Sequence, residues 1–240
     1  MQVVSLVPSL TETLVRWGRP PVACTRFCEQ PAIPAVGGTK NPDVAAIAEL
    51  APDLVVMCEE ENRREDADAL AEAGVVTAAL PIEGMDDVVT GMSLLAGLVD
   101  VAPVVADDLG AAIDKAVRDA PDLGGLRVFV PIWKRPWMTL DDRTYGSSLL
   151  AALGAVNIYG DGGPSGTRYP QVTLEDAASR RPDVVLAPSE PYPFKERHVP
   201  LFSDVAPVAL VDGQDLFWWG ARTPEAIGRL SERLAVVAGS

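Results

Sequence analysis

The sequence has 240 residues, of which 48% are hydrophobic and 22% charged, and its formal net charge is −14. This size accommodates one large α/β domain or two smaller lobes, and the composition excludes a disordered chain and a coiled coil. The acidic balance argues against nucleic acid as a partner, and without an apolar run of about 20 residues we expect no membrane-spanning segment.

Strand and helix patterns alternate through the first hundred residues. The stretch Ser9-Leu-Thr-Glu12 has the spacing of a capping box and predicts a helix from about Leu10 to Trp17. The continuous apolar run at 53–58 is typical of a buried parallel strand. The remaining elements predicted in this part are strands at 3–7, 21–24 and 75–80 and helices at 43–50, 62–73 and 85–98.

A longer helix pattern, from Ala102 to Ala120, separates this part from a second series of strands and helices. It opens with Pro103 and ends before Pro121. The elements predicted after it are strands at 127–132, 183–188 and 207–211, and helices at 145–153, 173–179 and 223–238.

The two series share a phrase. PDLVVMCEEEN at 52–62 and PDVVLAPSEPY at 182–192 have the same Pro-Asp-aliphatic start, and Glu60 aligns with Glu190. A similar helix pattern precedes each phrase. Because alternating strands and helices form parallel sheets, we predict an α/β fold with an N-terminal lobe at 1–101, a connecting helix at 102–121 and a C-terminal lobe at 122–240. If the lobes face each other, the two strand exits line one cleft; coincidental use of a common strand entry is the alternative.

Catalytic signatures are missing. The sequence has one histidine, His198, and it lacks a G-x-S-x-G elbow, a P-loop, a dinucleotide-binding glycine fingerprint and a zinc-protease helix. The odd number of cysteines indicates reduced thiols rather than a disulfide framework. Cys24 reads as a small buried residue, whereas Cys28 starts a loop where it could touch a ligand or a soft metal. We therefore predict a protein that is not an enzyme.

Aromatic residues follow the predicted strands of the second lobe. They are suited to a flat, largely apolar ligand, although packing between loops is the alternative for some of them. The residues are Trp133, Trp137, Tyr169, Tyr192, Phe194, Phe217, Trp218 and Trp219. The charged stretch at 59–66 predicts a solvated helix start capped by Asn62, with Glu60 or Arg63 available to a cleft.

Taken in order, these segments resemble the class III, helical-backbone substrate-binding proteins, in particular members that bind vitamin B12 for ABC importers. The segments that carry the resemblance are VVSLVPSLTETL, TRFCEQP, GGTKNPD, APDLVV, RVFVPIWKRPWMT, NIYGDGG, RYPQVTLED and RPDVVLAP. The resemblance implies two Rossmann-like lobes with parallel sheets joined by one long helix, with a corrinoid, haem, ferric siderophore or metal ion bound between them.

The resemblance also implies which residues touch the ligand. With Glu60, Glu190 and Trp133 taken from the strand exits, the candidate set is Pro8, Ser9, Arg26, Phe27, Cys28, Thr39, Lys40, Glu60, Trp133, Trp137, Met138, Tyr169, Glu190, Trp218 and Trp219. Relatives dock to an ABC permease through one acidic residue per lobe. The first-lobe position reads Ala45 here, with Asp43 or Glu49 as substitutes, and Glu196 is the candidate in the second lobe.

The leading hypothesis is therefore a non-catalytic protein that holds a corrinoid or a related metal chelate, with no cofactor required and no metal site of its own. The alternatives are a ferric-siderophore, haem or metal-ion binder using Cys28, Glu60, Glu190 or His198, and a cytosolic corrinoid-handling enzyme or chaperone. The start MQVVSLVPS lacks the features of a signal peptide and predicts a cytoplasmic location; a periplasmic or extracellular location is the alternative if this is a mature start.

Overall fold

The structure, a computed structural model, describes residues 1–238 and divides into two units. Unit 1 comprises Met1–Ala111 together with Trp219–Arg222, and unit 2 comprises Ala112–Trp218 together with the C-terminal segment that starts at Thr223. The division falls inside the long helix, and residues 219–222, which the predicted lobes place in the C-terminal part, pack with unit 1. Among residues 1–238 we find no helix with the length and apolar character that a membrane crossing requires.

Unit 1 is a parallel sheet of four strands with helices that connect them. Its strands are β1 (Val3–Ser5), β2 (Ala23–Cys24), β3 (Gly37–Gly38), β4 (Asn41–Pro42), β5 (Leu54–Cys58) and β6 (Thr77–Leu80). Its helices are α1 (Pro8–Arg16), α2 (Val44–Glu49), α3 (Arg64–Glu72), α4 (Met85–Leu98) and the first part of α5 (Val104–Asp119). The sheet order is β2-β1-β5-β6, and β3 and β4 form a separate two-residue hairpin. Every residue of β5 is buried, because helices cover both faces of a parallel sheet.

Unit 2 repeats this plan. Its strands are β7 (Arg127–Phe129), β8 (Trp137–Met138), β9 (Val156–Asn157), β10 (Gln171–Val172), β11 (Val184–Pro188) and β12 (Val208–Val211). Its helices are α6 (Tyr145–Ala152), α7 (Leu174–Ser179), α8 (Gly213–Phe217) and α9 (Thr223–Ala238), with 3-10 helices at Gly163–Ser165 and Glu196–Phe202. The main sheet is again parallel, in the order β9-β7-β11-β12, while β8 and β10 pair antiparallel beside it.

The two units match in detail as well as in strand order. Asp53 accepts a hydrogen bond from the Gln2 amide at 2.6 Å, and Asp183 accepts one from the Arg127 amide at 2.7 Å. Each aspartate thereby fastens the start of its strand to the start of the neighbouring strand. The burial pattern along residues 51–60 is also the same as along 181–190. The predicted fold class, two parallel α/β lobes joined by a long helix, is confirmed.

The predicted capping box is wrong. Helix α1 begins one residue before Ser9, at Pro8, and its N-cap is Val7, which offers no side-chain acceptor. Proline is favoured at the first helical position because its missing N–H and fixed φ suit the helix start. Ser9 therefore lies within the first turn, and its buried Oγ has no hydrogen-bond partner within residues 1–238.

Asn62 was predicted to cap α3, but the N-cap is Arg63. The Asn62 side chain instead joins three segments of unit 1. Its Oδ1 accepts from the Cys58 amide at 2.9 Å, and its Nδ2 donates to the carbonyls of Leu6 and Thr39 at 3.3 and 2.8 Å. Asn62 thus holds the exits of β1 and β5 together with the loop that contains Thr39.

Residues 219–222 are tied to helix α1 by side-chain and backbone bonds. The Ala221 amide donates to Thr13 Oγ1 at 3.1 Å, and Arg222 Nε donates to Glu12 Oε2 at 2.8 Å. At Gly220, where φ is +101°, a Cβ atom would lie 2.4 Å from Thr13 Oγ1. Only glycine lets the backbone approach α1 this closely in that conformation.

Candidate functional site

In unit 2 the loops after β7 and β11 meet, because these adjacent parallel strands end at the same edge of the sheet. The meeting point is an edge-to-face contact between Trp133 and Tyr192, whose ring centroids lie 5.7 Å apart at 81°. Trp133 is 43% exposed, and Tyr192 is half-buried. The loops after β7 and β11 therefore form one surface that carries an accessible indole.

Behind this contact lies a group of packed rings, which we call the aromatic cluster. It comprises Trp133, Trp137, Tyr192, Phe194, His198 and Phe202. Trp137 stacks on Phe194 with centroids 6.2 Å apart at 6°, and tilts against Phe202 at 5.3 Å. Phe202 in turn contacts Phe129 on β7. The cluster thus anchors the accessible rings to the core of the sheet.

Strands β8 and β10 bring further predicted residues to this edge. Met138 forms a bridge with Trp133 and pairs with Gln171 in β10. Tyr169, 40% exposed, lies just before β10. Backbone pairing thus brings the segments that contain Trp133, Trp137, Met138 and Tyr169 next to one another in unit 2.

His198 sits at the base of the cluster and is buried. Its Nδ1 accepts the Lys195 amide at 3.0 Å, its ring contacts Tyr192 and Phe194, and its Nε2 lies 3.3 Å from Arg197 Nε. Burial lowers the pKa of His198 below its ordinary value, and the positive charges of Arg197, Lys134 and Lys195 lower it further. His198 is therefore a neutral structural residue that starts the 3-10 helix at Glu196–Phe202.

We expect this lowered pKa to make stability depend on pH below the ordinary histidine pKa of 6.5. The unfolded chain binds the proton more tightly than the folded one, so the contribution is complete above pH 6.5 and is lost as the pH falls toward the folded pKa. The measurement is the free energy of unfolding of the wild type and of His198→Gln from pH 5.5 to 7.5. The difference between them should shrink at the acidic end; a constant difference would contradict the assignment.

The other two predicted tryptophans are buried. Trp218 donates its Nε1–H to Glu190 Oε1 at 2.6 Å, so the candidate carboxylate at the β11 exit is engaged with an indole. Trp219 is 3% exposed and belongs to the segment that packs with unit 1. Both indoles serve as packing residues in this structure, and they offer little surface to a ligand.

In unit 1 the loop after β2 exposes an aromatic ring and a cation side by side. Phe27 is 52% exposed, and the Arg26 guanidinium lies over its ring at 4.7 Å. The Arg26 amide donates to the Gly37 carbonyl, and a Cβ at Gly38 would meet the guanidinium at 3.0 Å. The double glycine before Thr39 and Lys40 thus makes room for the Arg26 side chain. Lys40 is exposed, while Thr39 and Glu60 are half-buried.

The same loop buries Cys28. Its Sγ lies 3.2 Å from the hydroxyl oxygens of Thr11 and Thr25, so the thiol is a hydrogen-bonding partner inside unit 1. Burial raises the pKa of Cys24 and of Cys58 to about 12. Pro8 and Ser9 are buried too, at the start of α1. Of the candidates in unit 1, Arg26, Phe27 and Lys40 are the accessible ones.

One observation bears on metal binding. Within residues 1–238, no three or more His, Cys, Asp and Glu side chains are grouped so that they could hold a metal ion.

The sequence analysis did not predict that the Asn62 side chain joins three segments of unit 1. The available signal was an amide side chain four residues after a buried strand, but the helix-cap pattern accounted for it first.

The sequence is similar to a known protein family and to a characterised relative. A family model described as periplasmic binding protein matches residues 3–196. The vitamin B12-binding protein of Vibrio cholerae serotype O1 (strain ATCC 39315 / El Tor Inaba N16961) is 22% identical over 194 residues, which are 77% of this chain and 69% of that protein.

Solved structures share the fold. The periplasmic vitamin B12 binding protein BtuF of Vibrio cholerae superimposes with a TM-score of 0.81 at 18% identity, over 100% of this chain and 98% of that one. The periplasmic heme-binding protein RhuT from Roseiflexus sp. RS-1 gives a TM-score of 0.80 at 20% identity, over 99% and 98%. At this level of identity the structures show a common fold.

These findings correct one prediction and confirm others. The expected cytoplasmic location is wrong, because the matching family and the named relatives are periplasmic binding proteins. The predictions of a binding protein rather than an enzyme, and of the class III substrate-binding fold, are confirmed by the same family. Since the family match extends over most of the sequence, the chain belongs to the periplasmic binding protein family.

Proposed function

We propose that this protein binds a flat metal-chelate ring of the corrinoid or porphyrin type and delivers it to an ABC permease. The observation that carries the proposal is the aromatic cluster of unit 2, in which the accessible indole of Trp133 and the half-buried ring of Tyr192 are held by packed rings. Rigid aromatic faces bury a large apolar area at little entropic cost, which suits a planar guest.

The relatives support this choice of ligand class. Vitamin B12 and haem, the ligands named for the two solved structures, are both large metal-bearing rings. In unit 1 the exposed Phe27 ring, backed by Arg26, is a second apolar surface of the same type. We assign ligand contact to Phe27, Trp133, Trp137, Met138 and Tyr169, and a structural role to Cys28, Trp218 and Trp219.

The family supports delivery to a permease, and we propose that acidic surface residues mediate the docking. Asp43 is engaged as the N-cap of α2, where its Oδ1 accepts the Ala46 amide at 3.0 Å. Glu49 and Glu196 are exposed. We assign permease docking to Glu49 in unit 1 and to Glu196 in unit 2. Glu49 takes the role of the acidic residue that relatives have at the position of Ala45.

Isothermal calorimetry with cyanocobalamin and with haem tests the ligand class. We expect heat with at least one of them and a dissociation constant of about 10 µM or below, since a few aromatic anchors supply most of the energy of such contacts. A cobalt(II) salt and ferric citrate serve as controls, because they supply the metals without the ring. Absence of heat with both rings at tens of micromolar protein would reject the proposal; heat with the controls alone would favour direct metal binding.

A further inference from the structure

Four cations lie next to the aromatic residues of two unit 2 loops in the sequence. We call Lys134, Arg135, Lys195 and Arg197 the basic rim. Lys134 and Arg135 follow Trp133 directly, and Lys195 and Arg197 follow Tyr192 and Phe194 in the other loop. The contact between Trp133 and Tyr192 brings the two loops together, so Lys134 and Lys195, 61 residues apart in the sequence, lie in loops that touch.

The rim is electrostatically unusual for this protein. The chain has 34 acidic residues against 20 basic ones, and other arginines of unit 2 form ion pairs with aspartates. Arg180 pairs with Asp161 at 3.1 Å, and Arg229 pairs with Asp215 at 2.6 Å. In the part of the chain that the structure describes, none of the four rim cations pairs with a carboxylate.

Three of the rim cations also act on one residue of the aromatic cluster, His198. These three, Arg197, Lys134 and Lys195, lie close enough to His198 for their charges to lower its pKa. His198 contacts Tyr192 at 5.5 Å, and Tyr192 contacts Trp133 at 5.7 Å. The charges of these three cations therefore act on His198, a member of the aromatic cluster. The carboxylates nearest in sequence are Glu196, which is exposed between Lys195 and Arg197, and Glu190, which accepts from Trp218.

Like charges held together without a carboxylate partner are unfavourable, and an anion relieves that repulsion. We infer that the ligand of this protein is an anionic ring, with carboxylate groups on its edge that bind the basic rim while its face packs on Trp133 and Tyr192. This inference rests on the proposed function and narrows it. A ring whose edge carries only neutral amides or esters would gain the aromatic contacts but not the charge pairing.

A pair of matched probes separates the two contributions. Ferric mesoporphyrin carries two carboxylates, and its dimethyl ester has the same ring and metal without those charges. Both are titrated by absorbance, in one water–dimethyl sulfoxide mixture, into the wild type and into a triple variant, Lys134→Gln, Lys195→Gln and Arg197→Gln. The control triple variant, Arg64→Gln, Arg118→Gln and Arg233→Gln, makes the same change in net charge at exposed positions on helices that contribute no residue to the rim.

We expect the wild type to bind the dicarboxylate roughly tenfold more tightly than the diester, and the rim variant to lose about that factor for the dicarboxylate alone. The control variant should bind both as the wild type does. For the wild type, raising the salt concentration should weaken the dicarboxylate and leave the diester unchanged, a test that needs no variant.

Equal affinities of the wild type for the two probes, or equal losses for both in the rim variant, would overturn the inference while leaving ring binding intact. If neither probe nor cyanocobalamin binds the wild type, the proposed function fails and the inference falls with it.

Discussion

Replacing Gly213 with alanine is expected to lower the free energy of unfolding of unit 2 by about 3 kcal/mol, the upper part of the range for overpacking a rigid site. Gly213 is the buried first residue of α8, where its amide donates to Ser189 Oγ at 2.9 Å. A Cβ there would lie 2.6 Å from the Glu190 amide nitrogen and 2.9 Å from its carbonyl oxygen. Backbone atoms cannot rotate away as a side chain can, so the exits of β11 and β12 must separate.

The measurement is urea unfolding followed by tryptophan fluorescence, because three of the five tryptophans, Trp133, Trp137 and Trp218, belong to unit 2. Gly228→Ala is the matched control: Gly228 lies in α9 with no atom within 4 Å of the added Cβ, so this change should be neutral or stabilise by up to about 1 kcal/mol. If both variants unfold at the same urea concentration, the close approach of the two strand exits is wrong.

The second large effect is expected at Trp133. Truncation to alanine should weaken haem binding by roughly ten- to thirtyfold, since an exposed aromatic anchor typically supplies about 2 kcal/mol. The fold should lose less than about 1 kcal/mol, because Trp133 is 43% exposed and lies in a surface loop. Trp133→Phe keeps a flat ring and should recover most of the affinity. Calorimetry on the three proteins gives the comparison.

A control for Trp133 is Leu94→Ala, which removes a comparably exposed apolar side chain from α4 in unit 1. It should leave affinity unchanged. An unaltered affinity in Trp133→Ala would remove the aromatic cluster from the ligand site and with it the main support for the proposed function.

The sequence predicts the two sheets well because the repeated phrase encodes more than a strand. Asp53 and Asp183 each bond to the strand start beside them, and Ala51 and Arg181 both adopt positive φ at the turn before the strand. Hydrophobic runs with such fixed entries leave little choice of register. Helices α4 and α9 were predicted at their observed bounds for a similar reason, since each has a long amphipathic or apolar pattern with clear ends.

Other features depend on neighbouring residues and on packing, which a local sequence pattern does not reveal. Ser9 has the spacing of a cap, but Pro8 takes the first helical position and moves the serine inside the turn. Strands β8 and β10 have two residues each, too few for any periodicity to be visible. The sequence shows that a residue follows a strand, but it does not show which way the side chain points. Packing decides that direction: Trp218 and Trp219 are buried, whereas Trp133 is accessible.

The aromatic character of the candidate site was predictable from the sequence, but the residues that meet there were not. Aromatic strand exits indicated a flat ligand, yet the contact between Trp133 and Tyr192 joins residues 59 positions apart and brings the basic rim together. No spacing rule links Lys134 to Arg197. That relation follows only from the adjacency of β7 and β11 in the sheet.

The segment Trp219–Arg222 has a consequence for biosynthesis. These four residues supply hydrogen bonds and an ion pair to α1, near the other end of the chain. As the polypeptide leaves the ribosome, Glu12 and Thr13 cannot form these bonds until residues 219–222 have been translated. The amino-terminal half therefore cannot reach its final packing as an autonomous first product, and a nascent chain arrested before residue 219 should stay more open to protease there than the finished molecule.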